Sequence, residues 1–220
     1  RYKTNHEMIL NPIDKSFFNT QINVKKNNVI GYCGRISPEK QLDFLVKMVA
    51  IVKEKIPDVS VLIIGDADDK NNDCMEYKQV VIDLFKTHNI PFKITGFVDD
   101  CTEWFNQIKT GALLSKTEGF SNFLWEASAM GIPTISTNVG SCYLILNANN
   151  ILEESNNNLN LSDREIISGA HLIEKHLSSQ DHIYLSENLR QSAYKSHHYI
   201  YEKKFIKLLY RITNRPFLKR

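Results

Sequence analysis

Two carboxylates lie eight positions apart in the segment from Glu118 to Glu126, which reads EGFSNFLWE. Glu118 follows an apolar run, and Glu126 falls inside a predicted helix that starts near Asn122. Side chains on a helix lean toward its N-terminus, so both carboxylates can face the start of that helix. A helix start offers free N–H groups and partial positive charge, which suit phosphate. The segment therefore predicts a site for a phosphorylated, hydroxyl-rich ligand.

The two glutamates allow more than one chemistry. As a pair, Glu118 and Glu126 could act as general acid and base, and they are the predicted catalytic residues. They could instead accept hydrogen bonds from the hydroxyls of a sugar and a ribose. Hydroxyl binding is favoured because the same region also offers phosphate contacts. A glutamate in the first half of a helix is favoured by the dipole alone, which is the structural alternative for Glu126.

Two cations, Arg35 and Lys40, follow the first predicted strand. Arginine can bind phosphate oxygens with both arms of its guanidinium, and lysine adds a point charge. Each cation alone is typical of a solvated surface. Near a glycine-opened helix start at the same edge of a sheet, together they favour a diphosphate.

The remaining candidates for chemistry carry less weight. Asp66, Asp68 and Asp69 look like a D-x-D metal motif, but acidic loops after strands are common, and no metal is predicted. The four cysteines show no metal-ligand spacing and predict reduced thiols. No Walker lysine motif, G-x-G-x-x-G or G-x-S-x-G is present. The histidines away from the predicted edge are His88, His171, His176, His182, His197 and His198.

The elements that must position these residues alternate between strands and helices. The predicted strands are continuous apolar runs, at Val29–Gly34, Val59–Ile64, Phe92–Thr95, Ala112–Leu114 and Thr134–Ser136. The predicted helices between them are Ser37–Ile56, Met75–His88, Cys101–Ile108 and Asn122–Met130. This order predicts an α/β, Rossmann-like, doubly wound and mostly parallel sheet with helices on both faces.

Sequence details set the expected limits and faces of two of these helices. Ser37 as N-cap and Pro38 at the first helical position predict the start of the first helix. Its predicted buried face consists of Leu42, Leu45, Val46 and Val49. The predicted buried face of the second helix consists of Val80, Val81, Leu84 and Phe85.

In an open parallel sheet, ligands bind beyond the carboxyl ends of the strands. The residues that follow the five predicted strands should therefore converge. In chain order they are Gly34, Arg35 and Lys40; Gly65 and Asp66; Gly96 and Phe97; Glu118, Gly119 and Phe120; Asn138 and Gly140.

Size and composition describe an ordinary globular chain. It has 220 residues, 42% of them hydrophobic and 24% charged. The net charge is only +2 and basic residues are scattered, so nucleic acid is not a predicted partner. No secretory signal or membrane-spanning run is found, which predicts a cytoplasmic location. The chain begins with Arg1, which predicts a fragment of a longer protein.

Both ends of the chain are predicted to lie outside the sheet. Residues 1–28 read as a polar connector, and the Asn-rich stretch after Asn147 reads as an exposed loop. Closing helices are predicted over residues 163–177, 187–197 and 201–212. The last 26 residues are basic and aromatic. An amphipathic closing helix is favoured there, and a peripheral membrane contact stays open.

Taken in order, these motifs resemble the C-terminal domain of GT-B glycosyltransferases, above all the large retaining family numbered four. The motifs are Gly34-Arg35…Lys40, Ile64-Gly65-Asp66, Thr95-Gly96-Phe97, and the segment Glu118–Ile135 with its E-x7-E pair. The likeness covers roughly residues 9–146, and the E-x7-E pair in this context is its most specific part.

The resemblance implies a role for each matching residue. Arg35 and Lys40, beside Gly34, would bind the diphosphate of a nucleotide sugar such as a UDP- or GDP-sugar. Glu118 would lie near the hydroxyls of the transferred sugar, and Glu126 would hold the ribose. The helix-start backbone would meet sugar and phosphate at Gly119, Phe120, Ser121, Asn122 and Phe123. The segment facing the base would be Gly96, Phe97 and Val98.

The resemblance also implies transfer with retention of configuration, with no metal and no cofactor. Front-face attack, with the leaving phosphate helping to deprotonate the acceptor, would make the protein's task mainly electrostatic. The setting it implies is polysaccharide or glycan assembly, with an acceptor glycan or lipid-linked sugar as the second substrate.

Two departures from the family pattern limit this picture. After the fifth strand the family often has Gly-Gly followed by a glutamate, whereas this chain has Gly140-Ser141-Cys142-Tyr143-Leu144. GT-B enzymes also have two Rossmann-like domains, and only one is present, so an N-terminal GT-B domain is a predicted partner. This chain alone is expected to bind the nucleotide sugar weakly and to transfer nothing measurable.

Two other functions remain as alternatives. A glycosyltransferase-like binding or chaperone subunit without catalysis is the main one, because a fold does not imply a function. An epimerase or phosphorylase of the same architecture is less favoured. The sequence offers no candidate for the cofactor lysine of a phosphorylase.

Overall fold

The computed structural model describes residues 11–19, 27–146, 148–152, 160–178 and 182–197, together with Lys203, Ile206, Lys207 and Tyr210. The strands are β1 Val29–Cys33, β2 Ser60–Ile64, β3 Phe92–Ile94, β4 Thr110–Leu113, β5 Thr134–Thr137 and β6 Ile151–Leu152. The α-helices are α1 Lys15–Asn19, α2 Leu42–Lys53, α3 Asn72–Thr87, α4 Thr102–Phe105, α5 Asn122–Ala129, α6 Asp163–Ser178 and α7 His182–His197.

The six strands form one sheet in the order β3-β2-β1-β4-β5-β6, and every pairing between them is parallel. The chain winds outward from β1 to β3, then returns to β4 and winds outward to β6. Strand order therefore reverses between β1 and β4, and that switch point opens a crevice at the carboxyl ends. The predicted Rossmann-like α/β fold is confirmed.

Burial follows from the two-sided covering of the sheet. Every residue of β4 and β5 is buried, as expected for central parallel strands with helices on both faces. Helix α2 packs against α6, and its buried residues include the predicted face, Leu42, Leu45, Val46 and Val49. No helix in the described part of the chain has the length and apolarity needed to span a bilayer.

The predicted single helix from Ser37 to Ile56 is wrong at its start. Pro38–Lys40 forms a separate 3-10 turn, and α2 begins only at Leu42. The break falls at Gln41, whose backbone is left-handed with φ of 51°, and the Ser37 side chain makes no capping bond. The turn is tied to the loop after β4, because the Lys116 amide donates to the Glu39 carbonyl at 2.8 Å. Lys40 is thereby placed at the sheet edge instead of inside a helix.

The predicted face of α3 is wrong at Val80, which is 50% exposed, whereas Val81 and Phe85 are fully buried. Successive helix residues point about 100° apart, so Val80 and Val81 cannot both lie on one narrow buried stripe. Helix α3 packs against α2, and its buried residues are Cys74, Val81 and Phe85.

The chain ends differ most from prediction. The predicted polar connector contributes Ile13 and Phe17 to the core, and Phe17 lies in the short helix α1. Strand β6 falls in the region predicted as a loop, because two residues are too few to give a periodic signal. Helix α7 begins at His182, before the predicted start at Glu187. Residues 153–159 of the Asn-rich stretch lie outside the described residues. Most of the predicted helix over 201–212 also lies outside them.

Candidate functional site

A cleft of about 330 Å³ lies at the carboxyl ends of β1 and β4, at the switch point of the sheet. Its walls contain eight of the predicted site residues, Gly34, Arg35, Lys40, Glu118, Phe120, Ser121, Asn122 and Phe123. Tyr32, Cys33 and Leu113 also line it and are not among the predicted residues. Their position at the last residues of β1 and β4 is the sequence signal that could have identified them.

The centre of the cleft is an ion pair between Lys40 and Glu118. Lys40 Nζ lies 2.7 Å from Glu118 Oε1, and the Ser115 hydroxyl donates to the same oxygen at 2.7 Å. The two charged side chains are only 17% and 15% exposed, so this pair is less screened than a surface pair. Both bonds fall on one carboxylate oxygen, which leaves Oε2 without a partner among the described residues. The Glu118 carboxylate is thereby held in place, and its Oε2 can accept a hydrogen bond from a ligand.

Arg35 lies beside this pair on a braced loop. The buried Tyr32 hydroxyl donates to the Arg35 carbonyl at 3.0 Å. Burial, with the nearby charge of Glu118, raises the pKa of Tyr32, so its hydroxyl remains a donor. The Arg35 side chain is 54% exposed and contacts Glu39 at 3.3 Å. The loop backbone is therefore fixed while the guanidinium stays accessible.

The start of α5 forms another wall. Ser121 is the N-cap, and its hydroxyl accepts from the Leu124 amide at 3.3 Å. The cap satisfies one orphan amide, and the first N–H groups of the helix, at Asn122 and Phe123, have no intrahelical acceptor. Cations on one wall and a helix start on another give this cleft the electrostatics of a phosphate site.

Glu126 lies on α5 and is not part of the cleft lining. It is half-buried, and burial raises its pKa from the ordinary 4.5 of a glutamate to about 7. The negative charge of Glu126 also acts to raise the pKa of two thiols, Cys33 in the cleft wall and Cys101 before α4. A hydrogen bond to Cys101, then burial and these nearby charges, raise the pKa of Cys33. Glu126 therefore lies near Cys33 in the cleft wall and Cys101 in the loop that follows β3.

The raised pKa of Glu126 predicts a stability that falls with pH. The folded chain keeps a proton that the unfolded chain releases between pH 4.5 and 7. This stabilisation is complete below about pH 4.5 and is lost as pH rises through 7. We expect Glu126→Gln to match the parent near pH 4.5 and to exceed its unfolding free energy by roughly 1–3 kcal/mol at pH 8. Urea unfolding at both pH values checks this, and an equal difference at both would contradict it.

Close backbone contacts bring the loops of this edge together. A Cβ on Gly65 would lie 2.2 Å from the Gly34 carbonyl oxygen, and φ of Gly65 is 132°. Gly65 also forms an isolated bridge with Gly96, whose φ is 75°. The loops after β1, β2 and β3 are thus linked in a row. The predicted base-facing segment Gly96–Val98 lies at the far end of this row, outside the cleft, with Phe97 72% exposed.

The loop after β5 approaches the cleft from the other side. Gly140 has a left-handed backbone with φ of 53°, and a Cβ there would lie 2.5 Å from the Glu118 carbonyl oxygen. The same Cβ would lie 2.6 Å from the Gly119 carbonyl oxygen. Gly119 itself has open space around its own Cβ position. Gly140 therefore supports the segment that carries Glu118.

The less favoured candidates have structural partners. Asp66 is bonded to Lys78 and accepts from the Ala67 amide at 2.7 Å. His176 is buried and shares a 2.9 Å hydrogen bond with Thr110. Within the described residues, no group of three or more His, Cys, Asp or Glu side chains is placed to hold a metal ion.

The fold is that of a GT-B glycosyltransferase domain. Residues 27–164 match the family model for glycosyl transferases group 1, which is more than half of the chain. The chain therefore belongs to the glycosyl transferases group 1 family, and the resemblance stated from the motifs is confirmed.

This chain spans only part of the length of the curated relative and of two structurally similar proteins. The capsular polysaccharide biosynthesis glycosyltransferase CapM of Staphylococcus aureus is 33% identical over 114 residues, which are 51% of this chain and 28% of CapM. Anabaena HepE, solved with UDP and glucose, superposes with a TM-score of 0.77 at 17% identity over 95% of this chain and 57% of HepE. The pneumococcal O-GlcNAc transferase GtfA, solved with UDP and GlcNAc, gives 0.73 at 18% identity over 94% of this chain and 39% of GtfA.

Proposed function

We propose that this chain is the nucleotide-sugar-binding domain of a retaining glycosyltransferase that transfers a hexose to an acceptor in polysaccharide or glycan assembly. The observation that carries the proposal is the ion pair of Lys40 and Glu118, whose charged atoms lie 2.7 Å apart at the switch point. A lysine suits a phosphate, and a carboxylate suits a sugar hydroxyl. Supporting it, two relatives are solved with UDP together with a sugar, and CapM is a capsular polysaccharide glycosyltransferase.

Each wall of the cleft has a part in binding the nucleotide sugar. Arg35, Lys40 and the α5 start bind the diphosphate, which carries the developing negative charge when the sugar leaves. Glu118 Oε2 accepts hydroxyl hydrogens of the sugar. Glu126 accepts from the ribose, and the base lies along Gly96–Val98. The ionised form of Glu126 is the better acceptor, so nucleotide binding near pH 7 releases a proton.

Catalysis in this scheme is electrostatic stabilisation of the leaving diphosphate by groups already in place, which needs no metal or cofactor. The acceptor attacks the face from which the diphosphate departs, and a leaving phosphate oxygen takes the acceptor proton. The sugar therefore keeps its configuration, and Glu118 orients it instead of acting as nucleophile.

The acceptor is a glycan or a lipid-linked sugar, bound with the help of a second, N-terminal GT-B domain. A lipid-linked acceptor would bring the protein to the membrane periphery. This part of the proposal is supported by chain lengths, since this chain spans 28% of CapM, 39% of GtfA and 57% of HepE.

The experiment that tests the proposed function is a calorimetric titration of the chain with UDP, GDP, ADP and CMP, and with UMP, GMP and AMP, without added metal. We expect one nucleoside diphosphate to bind saturably and more tightly than its own monophosphate, because the cleft has two cations for two phosphates. Inorganic pyrophosphate, tested alongside, separates the phosphate contribution from that of the base. Absence of saturable binding by every nucleotide at millimolar concentration would overturn the proposal.

The alternative of a non-catalytic, glycosyltransferase-like subunit is favoured by one observation. The loop after β5 has no acidic residue, and the buried Ser141 hydroxyl in it has no hydrogen-bond partner in the described structure. Nucleotide binding alone would fit both functions. Transfer from the matching nucleotide sugar by the longer protein, abolished by Glu118→Gln, would exclude the subunit function.

A further inference from the structure

The segment that precedes α1 is bonded directly to the helix that forms one wall of the cleft. The Asn11 side-chain amide donates to Asn122 Oδ1 at 3.1 Å, across 111 positions of sequence. The Trp125 indole N–H donates to the Asn11 carbonyl at 3.1 Å. Asn122 lines the cleft, whereas Asn11 does not. Asn11 therefore contacts the site through one of its wall residues.

The same segment has anchors that do not depend on the Asn11 side chain. Phe17 packs edge-on against Phe105 with ring centroids 5.6 Å apart, and Phe105 packs against Phe123 at 5.8 Å. On the other side, Arg190 of α7 donates to the Phe18 carbonyl. The bond from Trp125 goes to the Asn11 main chain. Changing the Asn11 side chain should therefore leave the segment in place.

The chemical consequence concerns the amide of Asn122. An asparagine side chain offers one acceptor oxygen and one nitrogen with two N–H donors, and either end can face a ligand. Asn11 occupies the oxygen of Asn122. The nitrogen, with both donors, is then left for a ligand in the cleft. An anionic phosphate oxygen needs donors, so this orientation suits a diphosphate and the opposite one repels it.

We propose that Asn11 is a positioning residue that holds the Asn122 amide with its nitrogen available to a phosphate oxygen of the bound nucleotide. The inference rests on the proposed function and adds a residue outside the cleft to it. Asn11 acts through Asn122 and does not touch the ligand.

The test is to titrate the parent, and variants at Asn11 and Asn122, with UDP, GDP and ADP. Asn11→Ala should lower the affinity for the tightest-binding nucleotide about three- to tenfold, the usual effect of losing one hydrogen bond. Asn11→Asp should weaken it at least as much, because a carboxylate accepts from the Asn122 nitrogen and turns the oxygen toward the phosphate. The double variant Asn11→Ala/Asn122→Ala should bind no more weakly than Asn122→Ala alone.

Asn28→Ala is the matched control. Asn28 precedes β1 at the opposite edge of the sheet, and its amide donates to both Asp58 carboxylate oxygens at 3.0 Å. Asn28 Oδ1 also accepts from Lys109 Nζ at 3.1 Å, so Asn28→Ala loses more and stronger side-chain hydrogen bonds than Asn11→Ala does, without a link to the cleft. We expect its nucleotide affinity to equal that of the parent.

Several outcomes would overturn the inference. They are parent-like affinity in Asn11→Ala or Asn11→Asp, and a double variant whose loss is the product of the two single losses. A lower unfolding temperature in Asn11→Ala with unchanged affinity would show a merely structural role and also overturn it. If the parent bound none of the three nucleotides, the proposed function itself would fail and the inference with it.

Discussion

Replacing both cations of the cleft, in Arg35→Ala/Lys40→Ala, should weaken binding of the preferred nucleoside diphosphate by at least about a hundredfold. Hydrogen bonds to charged groups contribute roughly 1.5–3 kcal/mol each, so losing two gives about 3 kcal/mol or more. The variant also leaves Glu118, only 15% exposed, without its cation, so an uncompensated carboxylate faces the phosphates. Calorimetric titration of parent and variant measures the loss.

Most of this loss should come from Lys40, because its side chain is 17% exposed and that of Arg35 is 54% exposed. The carboxylate left behind gives a sharper test. Lys40→Ala/Glu118→Gln should bind nucleoside diphosphate more tightly than Lys40→Ala, because the neutral amide no longer repels phosphate. The opposite order, or parent-like affinity in Lys40→Ala, would contradict a diphosphate between these groups.

The chain offers a matched pair as a control. Lys55 and Glu174 lie 2.8 Å apart on the surface, and the lysine is 62% exposed. Lys55→Ala and Lys55→Ala/Glu174→Gln remove the same charges as the cleft variants do. Neither should change nucleotide affinity, so a comparable loss in them would point to an effect of net charge.

The parts of the fold and site that could be predicted share one physical basis. Continuous apolar runs alternating with amphipathic segments dictate a parallel sheet, and parallel strands collect their carboxyl ends at one edge. Residues as far apart as Gly34 and Phe120 could therefore be assigned to one site from sequence. Both line the cleft.

The parts that could not be predicted depend on contacts distant in sequence. The Lys40–Glu118 bond spans 78 positions, and it requires the chain to leave helical geometry at Gln41, which no local propensity indicates. The residues before β1 look polar because their two buried side chains, Ile13 and Phe17, are too few to form a pattern. Their partners, on α4 and α5, are known only once the sheet has formed.

Gly140→Ala should disrupt the same site, because Gly140 lies in the loop after β5 and contacts the segment that carries Glu118. Its Cβ would lie 2.5 Å from the Glu118 carbonyl oxygen and 2.6 Å from that of Gly119, and both are backbone atoms that cannot rotate away. With φ of 53°, the position is also strained for any residue with a side chain. We expect an unfolding free energy lower by about 1–3 kcal/mol, from urea titration. Displacement of Glu118 should weaken nucleotide-sugar binding at least about tenfold, since positioning errors at a site are costly.

Gly119→Ala is the informative comparison, because it adds the same methyl group to the same pair of loops. No atom lies within 4 Å of its Cβ position, and its backbone is not left-handed. Its unfolding free energy should stay within about 0.5 kcal/mol of the parent. A loss of nucleotide-sugar affinity in Gly119→Ala without loss of stability would then indicate that the bound ligand contacts Gly119. Parent-like stability and affinity in Gly140→Ala would instead show that the Glu118 segment needs no support from the loop after β5.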